Sequence, residues 1–504
     1  MKKKDLTRLF SIFAAAAVVT SLGACNSVST LTDATDTSEN TENTDAQTSV
    51  ISADDIVTNS EMSSTNDSEH VIEVDGEKKE YSNVKITKSG DSDQGDEADF
   101  YGDNAAIFAT NGATLSLNEM IIDTNGTHAN AVFSYGEGTT VNISNSVITT
   151  SGNCSGGLMT TGGGTMNATN LSVHTTGNSS AAIRSDRGGG VVTVTGGEYT
   201  TDGTGSPTIY STADITVNNA ALTSTASQGV VVEGQNSVTL NDVDLTADNN
   251  TKNSDKSDYY QAVMIYQSLS GDADEGTASF TMDGGSITNK NGDVFFVNNT
   301  VANINLSDVQ VINQDEDGVF LRAEAAGWGS EGSNGGNVNL TISNQVLEGD
   351  MVVDEISGLN FTITDNSSYF GVINGENEGN VYVEIEDGST WDLTGDSYVT
   401  SLTCGENAVR LNGYKLYVDG VEYKEGSASS GSKVEFMVST GGHGANGDVG
   451  KPEEGGAPGR DGEAPLEKPD GNGGPGMDGN APPEKPDENG GPEMDGKTPP
   501  DKPE

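Results

Sequence analysis

The middle of the chain repeats a short pattern in which apolar and polar residues alternate. Alternation with a period of two is typical of a β-strand that buries one face. Asn, Asp or Gly follows each alternating run, and a second short run with strand character comes after that turn. The copies start at Thr114, Thr140, Thr165, Val192, Ile215, Val238, Phe280, Ile304 and Val338.

The spacing of these copies indicates a solenoid. The first three copies start 26 and 25 residues apart, and the copies at Val192, Ile215 and Val238 start 23 residues apart. One such repeat cannot bury its own apolar side, whereas stacked repeats form a continuous core. A β-propeller needs longer, four-stranded repeats, and a leucine-rich repeat needs a different leucine spacing. The pattern therefore predicts an all-β fold, a right-handed single-stranded parallel β-helix (β-solenoid), over residues 69–438.

Interruptions of the repeat predict loops and caps. Insertions fall at residues 248–260 and 323–336, and insertions in solenoids map to loops that often border the binding face. Residues 391–438 predict a cap with a hairpin-like segment that starts at Tyr414. Residues 71–88 are expected to cap the other end, because caps protect open strand edges from pairing with other chains.

The N-terminal segment has the features of a lipoprotein signal peptide. Lys2, Lys3, Lys4 and Arg8 precede a short apolar run, and Leu22-Gly23-Ala24 leads to Cys25. The run is too short to span a bilayer comfortably. An ordinary signal peptide with a chance cysteine is the alternative. The prediction is a signal peptide over residues 1–24, a lipid on Cys25 and a protein anchored outside the cytoplasm at the cell surface, which meets the membrane through that lipid only.

Two flanking segments lack the composition of a folded core. Residues 25–68 are rich in Ser, Thr, Asn and Asp, and predict a disordered acidic tether. Residues 439–504 combine Pro, Gly and charge, with the sequence Glu-Lys-Pro-Asp at 467–470 and again at 484–487. This stretch predicts a disordered tail, with a wall-associating or partner-binding tail as the alternative.

The charge of the chain restricts its partners. The formal net charge is −53, and the acidic excess runs through the repeats as well as the ends. Such a protein repels phosphate backbones, which argues against nucleic-acid binding. A neutral ligand, or an anionic ligand bridged by a metal ion, fits better. Cys154 and Cys404 are the remaining cysteines, so a disulfide framework is excluded. A monomer is expected.

The third strand of each repeat places a set of large side chains in an outward stripe. This assignment takes the first residue of each strand as inward and the second as outward. Aromatic rings stack on sugars, and Arg binds hydroxyl or carboxylate groups, so the stripe suggests a glycan platform in which Arg184, Tyr210, Tyr266 and Arg322 bind the ligand. The alternative is an apolar sheet face covered by loops. The stripe comprises Phe133, Met159, Arg184, Tyr210, Val232, Tyr266, Val297 and Arg322.

The segment from Arg184 to Gly190 is the most concentrated candidate for catalysis. Arg184 and Arg187 flank Asp186 in a region where basic residues are rare. A base next to an acidic residue is a minimal match to a polysaccharide lyase, although Arg is a poor base. A structural ion pair that holds a Gly-rich turn is the alternative. Hydrolysis would need two or three carboxylates from adjacent coils.

One acidic run suggests a calcium site. Asp91, Asp93, Asp96 and Asp99 lie within nine residues, and Ca²⁺ takes six to eight oxygen ligands from such loops. The order of residues departs from an EF-hand loop, and a solvated acidic loop is the alternative. Calcium is the only cofactor that the sequence suggests. The four histidines have no ligand spacing along the chain.

Several segments resemble the pectin-lyase-like superfamily of β-helices, in particular its adhesin-like surface lipoproteins. The segments are 181–190, 205–213, 264–272 and 391–402, and the resemblance covers about 70–438. It implies the fold and a surface location, and by analogy carbohydrate binding or adhesion. The leading hypothesis is a surface-anchored lipoprotein that binds polysaccharide or host glycan. A calcium-dependent lyase or glycoside hydrolase and a non-catalytic structural stalk are the alternatives, and catalysis is the less favoured reading.

Overall fold

The computed structural model describes residues 50–268 and 270–436. The predicted signal peptide, Cys25, most of the predicted tether and the tail at 439–504 lie outside the described residues. The described part belongs to the second of two units, Thr48–Glu504.

Strands account for nearly all the regular structure. A 3₁₀ turn at Ala53–Asp55 and a short helix, α1 (Asp96–Tyr101), are the helical elements among the described residues. The strands of the described part are β1 (Ser60–Ser64), β2 (Ile72–Asp75), β3 (Lys78–Ser82), β4 (Val84–Lys88), β5 (Ile107–Thr110), β6 (Thr114–Asn118), β7 (Ile121–Thr124), β8 (Val132–Tyr135), β9 (Thr140–Thr150), β10 (Leu158–Thr161), β11 (Gly164–Thr175), β12 (Ile183–Ser185), β13 (Gly190–Thr201), β14 (Ile209–Ser211), β15 (Asp214–Asn218), β16 (Ala221–Ser224), β17 (Val230–Glu233), β18 (Ser237–Ala247), β19 (Gln261–Tyr266), β20 (Thr277–Asn289), β21 (Asp293–Asn298), β22 (Thr300–Ser307), β23 (Gln310–Asn313), β24 (Leu321–Ala323), β25 (Gly336–Ser343), β26 (Val346–Glu348), β27 (Met351–Val353), β28 (Gly358–Thr364), β29 (Ser368–Phe370), β30 (Asn380–Ile385), β31 (Thr390–Asp392), β32 (Ser397–Val399), β33 (Ser401–Cys404), β34 (Val409–Arg410), β35 (Leu416–Val418) and β36 (Val421–Glu422).

Successive coils pair strand on strand in parallel, which confirms the predicted all-β parallel β-helix. Within the described residues the strands form an eighteen-stranded sheet, an eleven-stranded sheet and two small sheets of four and three strands. We call the first two the long sheet and the second sheet. The second sheet runs in the order β2, β5, β8, β10, β12, β14, β17, β19, β21, β24 and β27. A parallel sheet requires a crossover between neighbouring strands, and here each crossover is the remainder of one coil.

A corner divides the long sheet into two arms. Long strands such as β9 and β11 bend at Asn145 and Asn170, whose φ values are 48° and 52°. The equivalent positions of later coils hold Asn219, Asp242 and Asp308, also with positive φ. Asn and Asp tolerate this left-handed conformation better than most residues, which explains the Asn, Asp or Gly that follows each alternating run in the sequence.

The core is a set of stacked apolar columns between the two arms and the second sheet. One column from the first arm illustrates the register, since each member pairs with the next in the adjacent strand. Every member is buried in the main apolar cluster, as the alternation in sequence predicts. The column comprises Leu115, Val141, Met166, Val192, Ile215, Val238, Phe280, Ile304, Leu340, Phe361, Val383 and Leu402.

The two ends of the helix differ from the prediction in part. The first strand, β1, lies inside the segment predicted as tether, and it pairs in parallel with β4. Residues 71–88 were expected to form a cap, but β2, β3 and β4 continue the coils by pairing with β5, β6 and β7. At the other end, β35 and β36 form the predicted hairpin, the antiparallel pair at the end of the described strands.

The insertions fold onto the outer side of the second sheet. Residues 248–260 connect β18 to β19, and residues 324–335 connect β24 to β25, close to the predicted positions. A third insertion, between β4 and β5, contains α1, where the sequence predicted an acidic loop. Trp328 of the second insertion is 3% exposed and lies against Tyr266, with ring centroids 5.3 Å apart. These segments decide which parts of the second sheet reach solvent.

Candidate functional site

The outward side of the second sheet has the predicted stripe, with two errors of register. Val232 and Val297 were assigned outward, but both belong to the main core. Val231 and Phe296 take the outward positions in their place, where they pack in a separate cluster. The strands β17 and β21 are apolar at successive positions, so hydrophobicity alone does not separate the inward residues from the outward ones.

The stripe is covered, so it is not an open glycan platform. Among the described residues, two apolar clusters lie outside the main core. Tyr210 is 7% exposed and Tyr266 is fully buried, so neither ring can stack on a sugar in this conformation. The alternative that the sequence left open, an apolar face covered by loops, is the arrangement observed. One cluster comprises Ala105, Phe108, Phe133 and Met159, and the other Ala181, Tyr210, Val231, Met264, Tyr266, Phe296 and Trp328.

Arg184 is a buried cation between two carboxylates. Its Nη2 donates to Asp99 Oδ2 at 3.2 Å and to Asp186 Oδ2 at 3.0 Å. Burial alone disfavours its charge, but Asp99 and Asp186 outweigh this effect and hold the pKa of Arg184 above its ordinary value. A guanidinium in this state does not accept a proton. Arg184 therefore does not serve as the base of a lyase in this conformation.

Of the two carboxylates beside Arg184, Asp186 is the one whose pKa is raised, whereas the pKa of Asp99 is lowered. Asp186 is fully buried, and burial raises its pKa from an ordinary value of 3.8 to about 7, with Asp272 and Asp99 adding to the effect and Arg184 opposing it. Its Oδ1 accepts a hydrogen bond from the backbone N–H of Arg187 at 2.8 Å. Asp186 thus fixes the turn after β12 and titrates in the neutral range.

Arg187 and Arg322 are held by ion pairs and aromatic rings. The guanidinium of Arg187 lies 3.6 Å from the ring centroid of Phe100 in α1, and its Nη2 is 3.0 Å from Asp272. Arg322 Nε donates to Asp293 Oδ2 at 2.6 Å, and its guanidinium lies 3.7 Å from the ring centroid of Tyr259. Both arginines tie insertions to the sheet, since each cation–π contact is made to a residue outside the coil strands.

Glu233 forms a second buried polar centre. Its carboxylate accepts hydrogen bonds from the hydroxyls of Tyr210, Tyr266 and Ser268, the Tyr266 bond being 2.8 Å long. Burial raises the pKa of Glu233, and the three hydroxyl donors oppose that rise. The tyrosine hydroxyls of the predicted platform therefore point at an internal carboxylate, which no pattern of one strand reveals.

The acidic run 91–99 does not converge in the described structure. Asp91 Oδ1 accepts a hydrogen bond from the backbone N–H of Thr127 at 2.8 Å, and Asp93 is exposed. Asp99 lies on α1 and is only 2% exposed, with its carboxylate directed at Arg184 and His128. Asp96 begins α1. Calcium binding by this run stays a prediction without a geometric match among the described side chains.

Asp99 instead joins a cluster that sequence reasoning missed. One ligand atom each from Asp99, His128 and Cys154 lies within 4.8 Å of the other two, and this is the one such group of His, Cys, Asp and Glu found among the described residues. Asp99 Oδ1 is 3.1 Å from His128 Nδ1. The repeat spacing in the sequence predicts that His128 and Cys154 are neighbours. They are one 26-residue repeat apart, so they occupy the same place in adjacent coils.

One open surface of the helix is the outward side of the first arm. The three outward rows of nine strands, from β6 to β25, carry Thr, Ser or Asn at all but three positions, which are Val191, Asp214 and Asp283. We call this surface the polar face. Its middle row, in which every side chain is at least partly exposed, is Ser116, Asn142, Asn167, Thr193, Thr216, Thr239, Thr281, Asn305 and Thr341.

The polar face is long, regular and uncharged over most of its area. Strands spaced by about 4.8 Å give nine strands a length of about 38 Å, and three outward residues per strand give a width of about 13 Å. Asn167 Nδ2 donates to Asn142 Oδ1 at 2.9 Å, and Asn241 Nδ2 donates to Asn218 Oδ1 at 2.8 Å. An amide has two donors and two acceptor lone pairs, so each Asn in such a row keeps capacity for a ligand.

The segment after the last coil marks where the polar face ends. The backbone of Val434 exchanges two hydrogen bonds of 2.9 Å with the side chain of Asn360, on β28. Asn360, which Val434 contacts, is 5% exposed, and Tyr382 on the next strand is also buried. Among the described residues, no helix is both long and apolar enough to cross a membrane.

Comparisons with protein-family models, with curated proteins and with solved structures matched this chain to none of them.

Proposed function

We propose that the protein is a surface-anchored lipoprotein that binds a neutral polysaccharide or host glycan along its polar face. The observation that carries the proposal is a Thr/Asn/Ser surface with two carboxylates, Asp214 and Asp283, in its three rows, in a chain with a formal net charge of −53. Hydroxyl and amide groups at a regular spacing match the repeated hydroxyls of an extended glycan chain. The resemblance of the sequence to the pectin-lyase-like superfamily agrees with a carbohydrate ligand.

The anchoring part of the proposal comes from the sequence alone. A lipid on Cys25, outside the described residues, would hold the chain at the membrane, and the segment before β1 would separate the helix from it. Proteins that bind a long polymer through many weak contacts benefit from display on a membrane, because many copies act together.

The proposal is tested by adding charge to the polar face at two matched places. Thr216→Glu with Thr281→Glu places carboxylates on the middle row, one coil either side of Thr239. We expect affinity for a neutral polysaccharide to fall at least tenfold, because each carboxylate must be desolvated against an uncharged ligand. The measurement is affinity electrophoresis of the full chain in gels that contain neutral or uronate polysaccharides.

The matched control uses the second arm of the same coils. Thr223 and Thr288 are partly exposed and lie one coil either side of Thr246. The pair Thr223→Glu with Thr288→Glu adds the same charge but leaves the polar face unchanged, so binding should persist. Equal losses in both double variants, or no binding to any glycan by the parent chain, would refute the proposal, the latter in favour of a structural stalk.

A hydrolase is the second candidate, favoured by one observation. Asp186 and Glu233 are buried carboxylates on the outward side of the second sheet, and burial raises the pKa of both. Acids tuned toward neutral pH are common at catalytic sites. Release of reducing ends from a polysaccharide by the parent chain, lost in both Asp186→Asn and Glu233→Gln, would support this candidate. Absence of any product would refute the hydrolase candidate.

A further inference from the structure

The turns that lead into the second sheet bring His128 and Cys154 together. Both residues have left-handed backbone conformations, with φ of 57° and 55°. The N–H of His128 donates to Asn153 O at 3.0 Å, and the N–H of Cys154 donates to Asn178 O at 2.8 Å, so the two turns stack one above the other. Ser179 holds the same conformation one coil further on, with φ of 54°. A cysteine in this conformation is uncommon.

Asp99 reaches this pair from outside the coils. It lies in α1, and its Oδ1 is 3.1 Å from His128 Nδ1 and 3.4 Å from Asn130 Nδ2. Its other oxygen, Oδ2, accepts from Arg184 Nη2 at 3.2 Å. Carboxylates that bind metals are oriented by hydrogen bonds of this kind from neighbouring side chains.

A divalent cation would offset the excess of acidic groups around the cluster. The carboxyl groups of Asp99 and Asp186 share one cation, Arg184, at 3.2 and 3.0 Å, and a metal-bound Cys154 would add a thiolate. A buried group of charges is stable only when its members compensate one another. A bound ion of charge +2 would compensate the thiolate and the carboxylate that bind it.

The chemistry of the three side chains selects the kind of ion. One oxygen, one nitrogen and one sulfur suit a borderline transition metal, whereas Ca²⁺ and Mg²⁺ take oxygen ligands. With bond lengths of about 2.0–2.3 Å, ligand atoms around a tetrahedral zinc lie roughly 3.5 Å apart. The three ligand atoms lie within 4.8 Å of one another. Side-chain rotations that move these atoms by about an ångström would bring them to the separation that zinc requires.

We propose that Asp99, His128 and Cys154 bind a divalent transition-metal ion, and that zinc is the best match. Three protein ligands leave a fourth position of a tetrahedral ion for water or another ligand. The site is independent of glycan binding on the polar face. It also fastens the insertion that holds α1 to the coils, so binding of the ion should stabilise that insertion.

The test is a zinc titration of the metal-stripped full chain in competition with a chromophoric chelator. We expect one tight site, with affinity at least a hundredfold lower in His128→Ala and Cys154→Ser and at least tenfold lower in Asp99→Asn. His174→Ala and Cys404→Ser are matched controls, because His174 pairs with Asp202 at 2.7 Å and Cys404 lies near Tyr423, away from the cluster. Calcium should not displace zinc.

Two further measurements keep the result clear if a variant folds poorly. Cobalt bound to the parent chain should give a thiolate-to-metal charge-transfer band that Cys154→Ser lacks and Cys404→Ser keeps. Zinc should also slow alkylation of Cys154 in the parent chain, followed by mass spectrometry of its peptide. Absence of a stoichiometric site, or zinc affinity unchanged in folded His128→Ala, would overturn the proposal.

Discussion

Asp186 offers a direct test of whether the buried ion pair with Arg184 stabilises the fold. The two side chains lie 3.0 Å apart, and both are buried. In Asp186→Asn the side chain keeps its shape and its acceptor for the N–H of Arg187, but it no longer ionises. The substitution therefore isolates the cost of the buried negative charge.

The size and sign of the effect follow from the pKa. In the folded protein the pKa of Asp186 is raised by burial to about 7, compared with an ordinary value of 3.8. A carboxyl group with a raised folded pKa contributes stability that is fully present below about pH 4 and lost as the pH rises to about 7. The two pKa values differ by about three, and each pKa unit corresponds to about 1.4 kcal/mol, so the free energy of unfolding changes by about 4 kcal/mol.

The expected result is a stability difference that depends on pH. Near pH 4, Asp186→Asn and the parent chain should unfold with similar free energies, whereas at pH 8 the variant should be more stable by up to about 4 kcal/mol. The assay is urea unfolding followed by circular dichroism across this range, with a chelator present so that no metal ion contributes.

Asp202→Asn is the control of opposite sign. Burial alone raises the pKa of Asp202, but hydrogen bonds from Thr225 and His174 outweigh it, and the folded pKa lies below the ordinary value. This carboxylate contributes stability above its ordinary pKa that is lost as the pH falls, so the variant should gain nothing at pH 8. If Asp186→Asn were less stable than the parent at pH 8, the ion pair would outweigh the burial cost and the reasoning would be wrong.

Three other substitutions test the core, the covering insertion and the anchor. Leu240→Ala leaves a cavity in a fully buried column and should lower the free energy of unfolding by about 3 kcal/mol in urea. Trp328→Ala removes the indole that covers Tyr266. The free energy of local opening of residues 324–335 should fall by about 3 kcal/mol, so their amides should exchange hydrogen much faster. Exchange in β9 should not change. Cys25→Ser should move the protein from the detergent phase to the aqueous phase in phase separation, and an unchanged partition would argue against lipidation.

The covering insertions change how the second sheet is understood. Phe133, Met159, Tyr210 and Tyr266 are large and apolar enough to attract a ligand, yet the chain buries them against its own segments. Burying an aromatic side chain stabilises a protein by about 1.5–3 kcal/mol, so insertions without strands of their own gain a fixed position from these contacts. The outer side of this sheet is therefore a secondary core, whereas the polar face is left open to solvent.

The alternation of apolar and polar residues was sufficient to predict the β-helix. Strands such as β11 and β18 alternate so regularly that one register buries the apolar set, and the 23- to 26-residue period places these sets in columns. The corners followed from single residues, such as Asn145 and Asp242, because few side chains other than Asn and Asp adopt a positive φ readily.

The candidate sites depended on contacts between distant segments, which no local pattern contains. Asp99 and Arg184 are 85 residues apart, and Trp328 covers a ring on β19. Where both sides of a strand are covered, as in β17 and β21, alternation disappears and the register was assigned wrongly. His128 and Cys154 show no ligand spacing along the chain, and they become neighbours only because the 26-residue repeat stacks their turns.

The sequence by itself determined the coil, because the inward and outward positions of a strand depend on the period of two within a few residues. Only the tertiary structure decided which outward residues meet solvent. That outcome depends on where the insertions after β4, β18 and β24 fold, and each folds onto coils other than its own. The same long-range packing turned Tyr210 and Tyr266 from a predicted ligand surface into hydrogen-bond donors to Glu233, and left the Thr/Asn/Ser rows of the first arm open.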